Sequence, residues 1–244
     1  MTAPVGITRR GVVTAGTAAL VGSAVLGTGT AAAGTTDGSA ARPTIVLVHG
    51  AFVDGSSWTP VVARLQAKGY TVIAAANPLR GLRTDAAHVK SVLDSVTGPV
   101  VLVGHSYGGA VITEAAANAD NVEALVYIAA LVPDMGETSG ELAFRFPGSE
   151  LEPALRQVTA PAPDGSAGVD LYIKPESFRY VYAADSSGDT ARVFAAAQRP
   201  ISASALSDVT AAAAWRTLPA WILVTSADRI LHVDLQTFQA RRAN

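Results

Sequence analysis

The stretch Val-Val-Leu-Val-Gly-His-Ser-Tyr-Gly-Gly at residues 100–109 limits the fold of this chain more than any other feature. The four aliphatic residues predict a buried strand, and the small residues after it predict a helix packed close to that strand. Between them lies the pattern Gly-x-Ser-x-Gly, which is typical of a sharp strand-to-helix turn with the serine at its apex. Ser106 is therefore the candidate nucleophile, held above the edge of a parallel sheet.

Strands and helices alternate along the rest of the chain. We expect strands at 44–48, 70–75, 100–103, 124–129 and 220–225, and helices at 58–68, 84–96, 107–118 and 233–241. This alternation predicts a doubly wound, mostly parallel α/β sheet. Residues 134 to about 218 break the rhythm and hold many prolines, glycines and aromatic residues. They predict a cap insertion whose aromatic side chains line an apolar pocket or form a small core of their own.

Residues 1–33 predict an export signal. The twin arginines Arg9 and Arg10 precede a weakly apolar stretch rich in alanine, glycine and threonine, without acidic residues. This pattern is typical of twin-arginine export, with cleavage after Ala33. A membrane anchor is the alternative, which the glycines within the stretch disfavour. We therefore expect a secreted protein that has no membrane attachment after cleavage.

The mature part predicts one domain. Residues 34–42 are small and polar, as in a disordered lead-in, and residues 43–244 form the expected α/β domain. The formal net charge of −2, without a basic stripe, argues against nucleic acid as a partner. The chain has no cysteine, which excludes disulfides and thiolate metal sites. We expect no cofactor and no metal, because the sequence has no phosphate loop, dinucleotide fingerprint or metal-ligand cluster.

A second element with chemical meaning follows the first predicted strand. His49, Gly50, Ala51 and Phe52 begin a glycine-rich loop, and loops at the carboxyl ends of parallel strands are where such sheets place their sites. A backbone N–H from this loop, together with that of Tyr107, would stabilise the oxyanion of a tetrahedral intermediate. Ala51 is the expected donor in the loop, and Phe52 is the alternative.

The candidate acid is Asp228. It follows the last predicted strand, which is the third position in the chain order serine, acid, histidine. An aspartate after a strand is also a common helix cap. Asp134, at the start of the cap insertion, is the competing acid.

A serine nucleophile also needs a base that takes its proton. The chain has four histidines. His49 belongs to the oxyanion loop, His105 directly precedes the nucleophile and His88 lies on a predicted helix, so none of the three is a good base. His232, four residues after Asp228, is the remaining candidate base, and its simpler interpretation is the entry residue of a helix.

These motifs resemble the α/β-hydrolase superfamily, in particular exported actinobacterial-type esterases related to the plant methylesterase and hydroxynitrile-lyase branch. The resemblance is carried by residues 47–58, 76–79, 104–110 and 227–229. It implies an acyl-enzyme on Ser106 and a small apolar ester as substrate. In that family a further strand and a helix follow the acid, with the catalytic histidine on the loop between them. We therefore expect a C-terminally truncated domain whose last strand and helix are missing.

The resemblance leaves the activity open. A hydroxynitrile lyase or a cofactor-free haloperoxidase would use much the same groups on the same fold. A catalytically silent protein that only binds small apolar ligands under the cap is the alternative from another class. Loss of an edge strand would also expose apolar surface and a new sheet edge, so we expect self-association through that edge.

Overall fold

The structure, a computed structural model, describes residues 42–162 and 165–243. The predicted export signal at 1–33 and most of the lead-in at 34–42 lie outside the described residues. Across the described part of the chain, no helix has the length and apolar character needed to cross a membrane.

A parallel sheet forms the centre of the described chain. Its five strands are β1 (Thr44–Val48), β2 (Val72–Ala75), β3 (Val100–Ser106), β4 (Val122–Ala130) and β8 (Ala220–Leu223). They lie in the order β2-β1-β3-β4-β8, and all four pairings are parallel. The strand order therefore reverses between β1 and β3, and the crevice at such a reversal is where open α/β sheets bind ligands. The predicted mostly parallel α/β fold is confirmed.

Helices cover the sheet on both faces. They are α1 (Thr59–Ala67), α2 (Leu82–Asp94), α3 (Tyr107–Ala115) and α9 (Val233–Arg242). The alternation of strand side chains explains this arrangement. In β1, Val46 and Val48 join the main core with α2 and α3, whereas Ile45 and Leu47 pack with Trp58 and α1 on the opposite face.

The insertion between β4 and β8 has a small antiparallel sheet of its own, which the sequence did not predict. Its elements are α4 (Ser139–Ala143), α5 (Leu151–Ala154), β5 (Leu155–Pro161), β6 (Ala167–Ile173), α6 (Pro175–Val181), α7 (Gly188–Ala196), β7 (Ile201–Ser202) and α8 (Ala203–Ser207). The sheet order is β5-β6-β7. Of the cap aromatics, Phe178 and Trp215 are buried in the main core, whereas Tyr182 reaches the carboxyl edge of the parallel sheet.

Strand β8 lies at the edge of the sheet, and part of one face remains open beside it. Trp221 and Leu223 are 38% and 53% exposed. They pair in register with Val126 and Ile128 of β4, which are only partly buried. These four side chains, called the β8 surface below, form an apolar strip on the face that carries α1.

Candidate active site

Ser106 lies in a strained turn between β3 and α3. Its φ of 52° and ψ of −127° are unfavourable for a residue with a side chain and persist only where the surroundings enforce them. Two glycines make the turn sterically feasible. A Cβ on Gly104 would lie 2.6 Å from the Gly108 carbonyl oxygen, and one on Gly108 would lie 2.5 Å from the Val48 carbonyl oxygen. The sequence thus folds locally into the turn that the motif predicts.

The loop after β1 lies directly against the nucleophile, and buried His49 holds it. The backbone N–H of Asn77 donates to His49 Nε2 at 3.0 Å, so His49 Nδ1 carries the proton and donates to the Gly50 carbonyl at 2.9 Å. Burial is the main cause that lowers the pKa of His49 and keeps the ring neutral. A Cβ on Gly50 would lie 2.7 Å from Ser106 Cβ, so only glycine lets the loop come this close.

Two backbone N–H groups beside Ser106 have no acceptor among the described residues. Tyr107 begins α3, and the first N–H groups of a helix have no partner within it. Ala51 N–H also makes no hydrogen bond to a described residue. The loop conformation around it is fixed by the φ of 67° at Phe52 and by the Tyr182 hydroxyl, which donates to the Ala51 carbonyl at 3.0 Å. One expected oxyanion donor thus directly follows Ser106 in the chain, and the other directly follows Gly50, which lies against Ser106.

Ser106 and Asp228 line one cleft of about 570 Å³. Its wall combines apolar and aromatic side chains from the sheet and the cap with polar and charged ones, among them Val181, Tyr182, Leu231, Asp185 and Arg229. The Ser106 hydroxyl makes no hydrogen bond to any described residue. It is therefore available to a ligand in the cleft.

The carboxylate of Asp228 is held by four hydrogen bonds. Its Oδ1 accepts from the backbone N–H groups of Ile230 and Leu231 at 2.8 and 2.9 Å. Its Oδ2 accepts from the Thr225 hydroxyl at 3.0 Å and from Gln236 Nε2 at 3.2 Å. These bonds fix the carboxylate at the cleft and also use much of its capacity to accept further hydrogen bonds.

Gln236 is a site residue that the sequence analysis missed. It is 1% exposed, and besides Asp228 it bonds to Thr225 N–H at 2.9 Å and to the Leu231 carbonyl at 2.7 Å. It therefore ties the loop that carries Asp228 to α9. A single glutamine on an amphipathic helix gives no sequence signal for such a role, because glutamine is also common on exposed helix faces.

Asp134, the competing acid, is placed elsewhere. Both of its carboxylate oxygens accept from the Arg216 guanidinium at 2.8 and 2.5 Å, and these hydrogen bonds are the main cause that lowers its pKa. Asp134 does not line the cleft that holds Ser106. Of the two candidate acids, only Asp228 lines the cleft that holds Ser106.

His105 lines the cleft, but its ring packs against other aromatic rings. Its ring packs edge-to-face on Trp58 and Tyr182, with centroids 6.3 and 6.4 Å apart. Burial lowers the pKa of His105 to about 4, so the ring is neutral near pH 7. His88 is exposed on α2.

His232 lies at the start of α9. Its Nδ1 accepts the backbone N–H of Asp234 at 3.3 Å, and its ring lies against Gly148. It does not line the cleft. Within the described chain, none of the four histidines hydrogen-bonds the Ser106 hydroxyl. The described residues also contain no group of three or more His, Cys, Asp or Glu side chains that could hold a metal ion.

Comparison with known proteins agrees with this architecture. Residues 45–244 match the profile of the Alpha/beta hydrolase family. A carbendazim hydrolyzing esterase of Nocardioides sp. (strain SG-4G) is 36% identical over 106 residues, which cover 38% of this chain and 44% of the relative. A pyrethroid hydrolase of Sphingobium wenxiniae is 28% identical over 157 residues, covering 59% and 56%. The chain thus spans about half the length of these curated relatives.

Solved structures share the fold at low sequence identity. Polyneuridine aldehyde esterase superposes with a TM-score of 0.71 at 17% identity, covering 83% of this chain and 87% of the esterase. A methylesterase of Arabidopsis gives a TM-score of 0.65 at 20% identity, covering 82% and 85%. These likenesses establish the arrangement of strands and helices.

Proposed function

The chain belongs to the alpha/beta hydrolase family, and we propose that it acts on carboxylic esters through a covalent intermediate on Ser106. The observation that carries this proposal is the position of Ser106, strained at φ 52° between two unbonded backbone N–H groups and in one cleft with Asp228. The esterase names of the relatives agree with this chemistry.

The proposed reaction uses these groups in two stages. The Ser106 oxygen attacks the ester carbonyl, and the N–H groups of Ala51 and Tyr107 stabilise the negative charge on the carbonyl oxygen. The alcohol leaves with a proton, and the acyl group remains on Ser106. Water then attacks the acyl-enzyme, releases the carboxylic acid and restores the serine hydroxyl.

Removal of the Ser106 proton is the slow step of this scheme. Because the described residues place no imidazole on the hydroxyl, we expect solvent to take the proton and acylation to be slow except with activated esters. Loss of the histidine in a serine hydrolase lowers turnover by about 10⁶, while oxyanion stabilisation and binding retain roughly 10³ over water. The cleft wall holds apolar side chains beside polar ones, and we propose a small ester with an apolar group as the substrate.

A ligand-binding protein without turnover is the second candidate function, and the unpartnered Ser106 hydroxyl is the observation that favours it. A fluorophosphonate probe and a short-chain aryl ester separate the two. Labelling and ester cleavage that both disappear in Ser106→Ala would support the esterase. A folded wild-type protein that gives neither signal would refute the esterase and leave the binding function.

Export is proposed on the sequence alone. The twin arginines at 9 and 10 would direct the folded chain to the twin-arginine route, and the mature protein would be secreted. Replacing both arginines by lysine should move the protein from the medium into the cells, as measured by immunoblotting of the two fractions. Equal secretion of the double variant would contradict the proposal.

A further inference from the structure

A buried pair of side chains lies beneath the first turn of α3. The Tyr107 hydroxyl donates to Asp85 Oδ2 at 3.0 Å, and Tyr107 and Asp85 are 1% and 0% exposed. An aspartate is almost never fully buried unless its oxygens are hydrogen-bonded. The ester chemistry described above uses neither of these side-chain groups.

Asp85 is itself firmly held. It lies in the first turn of α2, and its Oδ1 accepts the backbone N–H of Arg80 at 3.1 Å. Burial raises the pKa of Asp85, while the hydrogen bonds from Arg80 and from the Tyr107 hydroxyl act against this rise. The start of α2 is also anchored, since Leu82 N–H donates to Asp208 at 2.7 Å. Asp85 is therefore a fixed acceptor in the core.

Tyr107 connects this acceptor to the reaction centre. Its backbone N–H is the expected oxyanion donor, and its side chain is the first anchor after Ser106. The next two residues, Gly108 and Gly109, have no side chain that could hold the turn, and their backbone packs against the Val48 and Leu131 carbonyls. The Tyr107 side chain thus ties the residue that carries this N–H to Asp85.

We infer that Asp85 is a positioning residue, which aims the Tyr107 backbone N–H at the developing oxyanion through the Tyr107 hydroxyl. This inference rests on the proposed ester hydrolysis. Oxyanion donors act only when they lie at hydrogen-bond distance from the position that the charged oxygen takes. A small displacement of this N–H therefore weakens acylation while substrate binding is retained.

The test uses Tyr107→Phe, which removes only the hydroxyl, and a matched control on β4 whose hydroxyl bonds to the same helix. The Tyr127 hydroxyl is 2.9 Å from the Thr113 hydroxyl of α3, and both residues are completely buried, so Tyr127→Phe removes a comparable bond away from the oxyanion site. Acylation of Ser106 is followed with an aryl ester and with its thionoester, whose sulfur accepts hydrogen bonds weakly.

Tyr107→Phe should lower the acylation rate with the oxygen ester about tenfold and the thionoester rate much less, so that the oxygen-to-sulfur ratio falls. Tyr127→Phe should leave the ratio unchanged. The oxygen-to-sulfur rate ratio should fall less in Asp85→Asn, which retains an acceptor, than in Asp85→Ala. Equal losses with both esters in Tyr107→Phe would mean that the pair only supports the fold, and would overturn the inference.

A second measurement separates this inference from the proposed function. If the wild-type protein shows no acylation that depends on Ser106, the esterase proposal fails, and NMR relaxation of the residue 107 amide still tests the positioning. The order parameter of that amide should fall in Asp85→Ala and stay unchanged in Tyr127→Phe. An unchanged order parameter in both variants would overturn the positioning role.

Discussion

The two halves of the candidate site differ in how far their polar groups are hydrogen-bonded within the protein. On the nucleophile side, the Ser106 hydroxyl and the Ala51 N–H make no hydrogen bond to another described residue. On the acid side, the Asp228 carboxylate accepts four hydrogen bonds from the protein itself. Groups without a partner are available to a ligand, whereas a satisfied carboxylate mainly orders its own loop. The polar groups of the nucleophile half are thus available to bind a ligand, whereas the carboxylate of the acid half holds the backbone of its own loop in place.

Among the substitutions in the nucleophile half, Gly108→Ala should have the largest effect on stability. The added Cβ would lie 2.5 Å from the Val48 carbonyl oxygen, and backbone cannot move away as a side chain can. We expect the free energy of unfolding to fall by at least about 3 kcal/mol, as measured by urea unfolding. Gly188→Ala is the control, since a Cβ there would lie 3.8 Å from the nearest atom, in ordinary contact. Equal stability of the two variants would show that the elbow is less crowded than described.

The acid half is tested by Gln236→Leu. This change removes a donor to Asp228 and leaves the Leu231 carbonyl and the Thr225 N–H without their partner. We expect a loss of about 2 to 3 kcal/mol in unfolding free energy and slower acylation of Ser106.

Gln239→Leu is the matched control for this change, three residues further along α9. Gln239 is also buried but bonds to the Ala130 carbonyl and to the Val132 N–H, away from Asp228. It should lower stability without changing the acylation rate of the remaining folded protein. The same kinetic loss in both variants would mean that Gln236 acts on the helix rather than on the acid.

Acid sensitivity should originate in the nucleophile half. Burial lowers the pKa of His105 to about 4, against an ordinary 6.5. Below pH 6.5, His105 of the unfolded chain binds a proton that the native ring does not bind. The free energy of unfolding therefore decreases as the pH is lowered from 6.5 to about 4. We expect a loss of about 2 kcal/mol between pH 6 and pH 4 from this group. Urea unfolding at several pH values measures it.

His105→Gln should flatten this pH dependence, because the glutamine does not titrate. His88→Gln, at an exposed position on α2, should leave the slope as it is, since an exposed ring is solvated in both states. A wild-type slope that persists in His105→Gln would assign the acid sensitivity to other groups.

The smallest expected effect concerns the edge beside the acid half. We propose that the β8 surface (Val126, Ile128, Trp221 and Leu223) pairs with a second copy of the chain, because β8 is the last strand of the described sheet and Trp221 and Leu223 are exposed. Leu223→Lys should raise the dissociation constant of the dimer roughly tenfold in sedimentation velocity runs. The control is Val193→Lys, at an exposed cap position on α7. A monomeric wild-type protein at high concentration would contradict the pairing.

The same contrast explains how much of the molecule could be predicted from its sequence. The strands and the elbow follow from short apolar runs and from glycines a few residues apart, so local reasoning suffices for β1, β3 and Ser106. The hydrogen bonds from Asn77 to His49 and from Gln239 to Ala130 join residues 28 and 109 positions apart. A single sequence carries no local pattern for such pairs.

Asp85 did have a local signal. It lies among Leu82, Ala86 and Val89, which form the buried face of α2, and an acidic residue on an apolar helix face predicts a buried partner. The antiparallel sheet of the cap had no comparable signal, because β5 is largely exposed and lacks the apolar alternation of a half-buried strand.

The hydrogen bond from Tyr182 to the Ala51 carbonyl links the cap directly to the loop after β1. Tyr182 belongs to the cap, and the loop it holds also carries the expected oxyanion donor. Loss of this bond would remove one contact that holds the loop, while the hydrogen bonds of His49 would remain. A substitution that shifts Tyr182 is therefore expected to disturb the backbone beside Ser106, even though the tyrosine belongs to the cap.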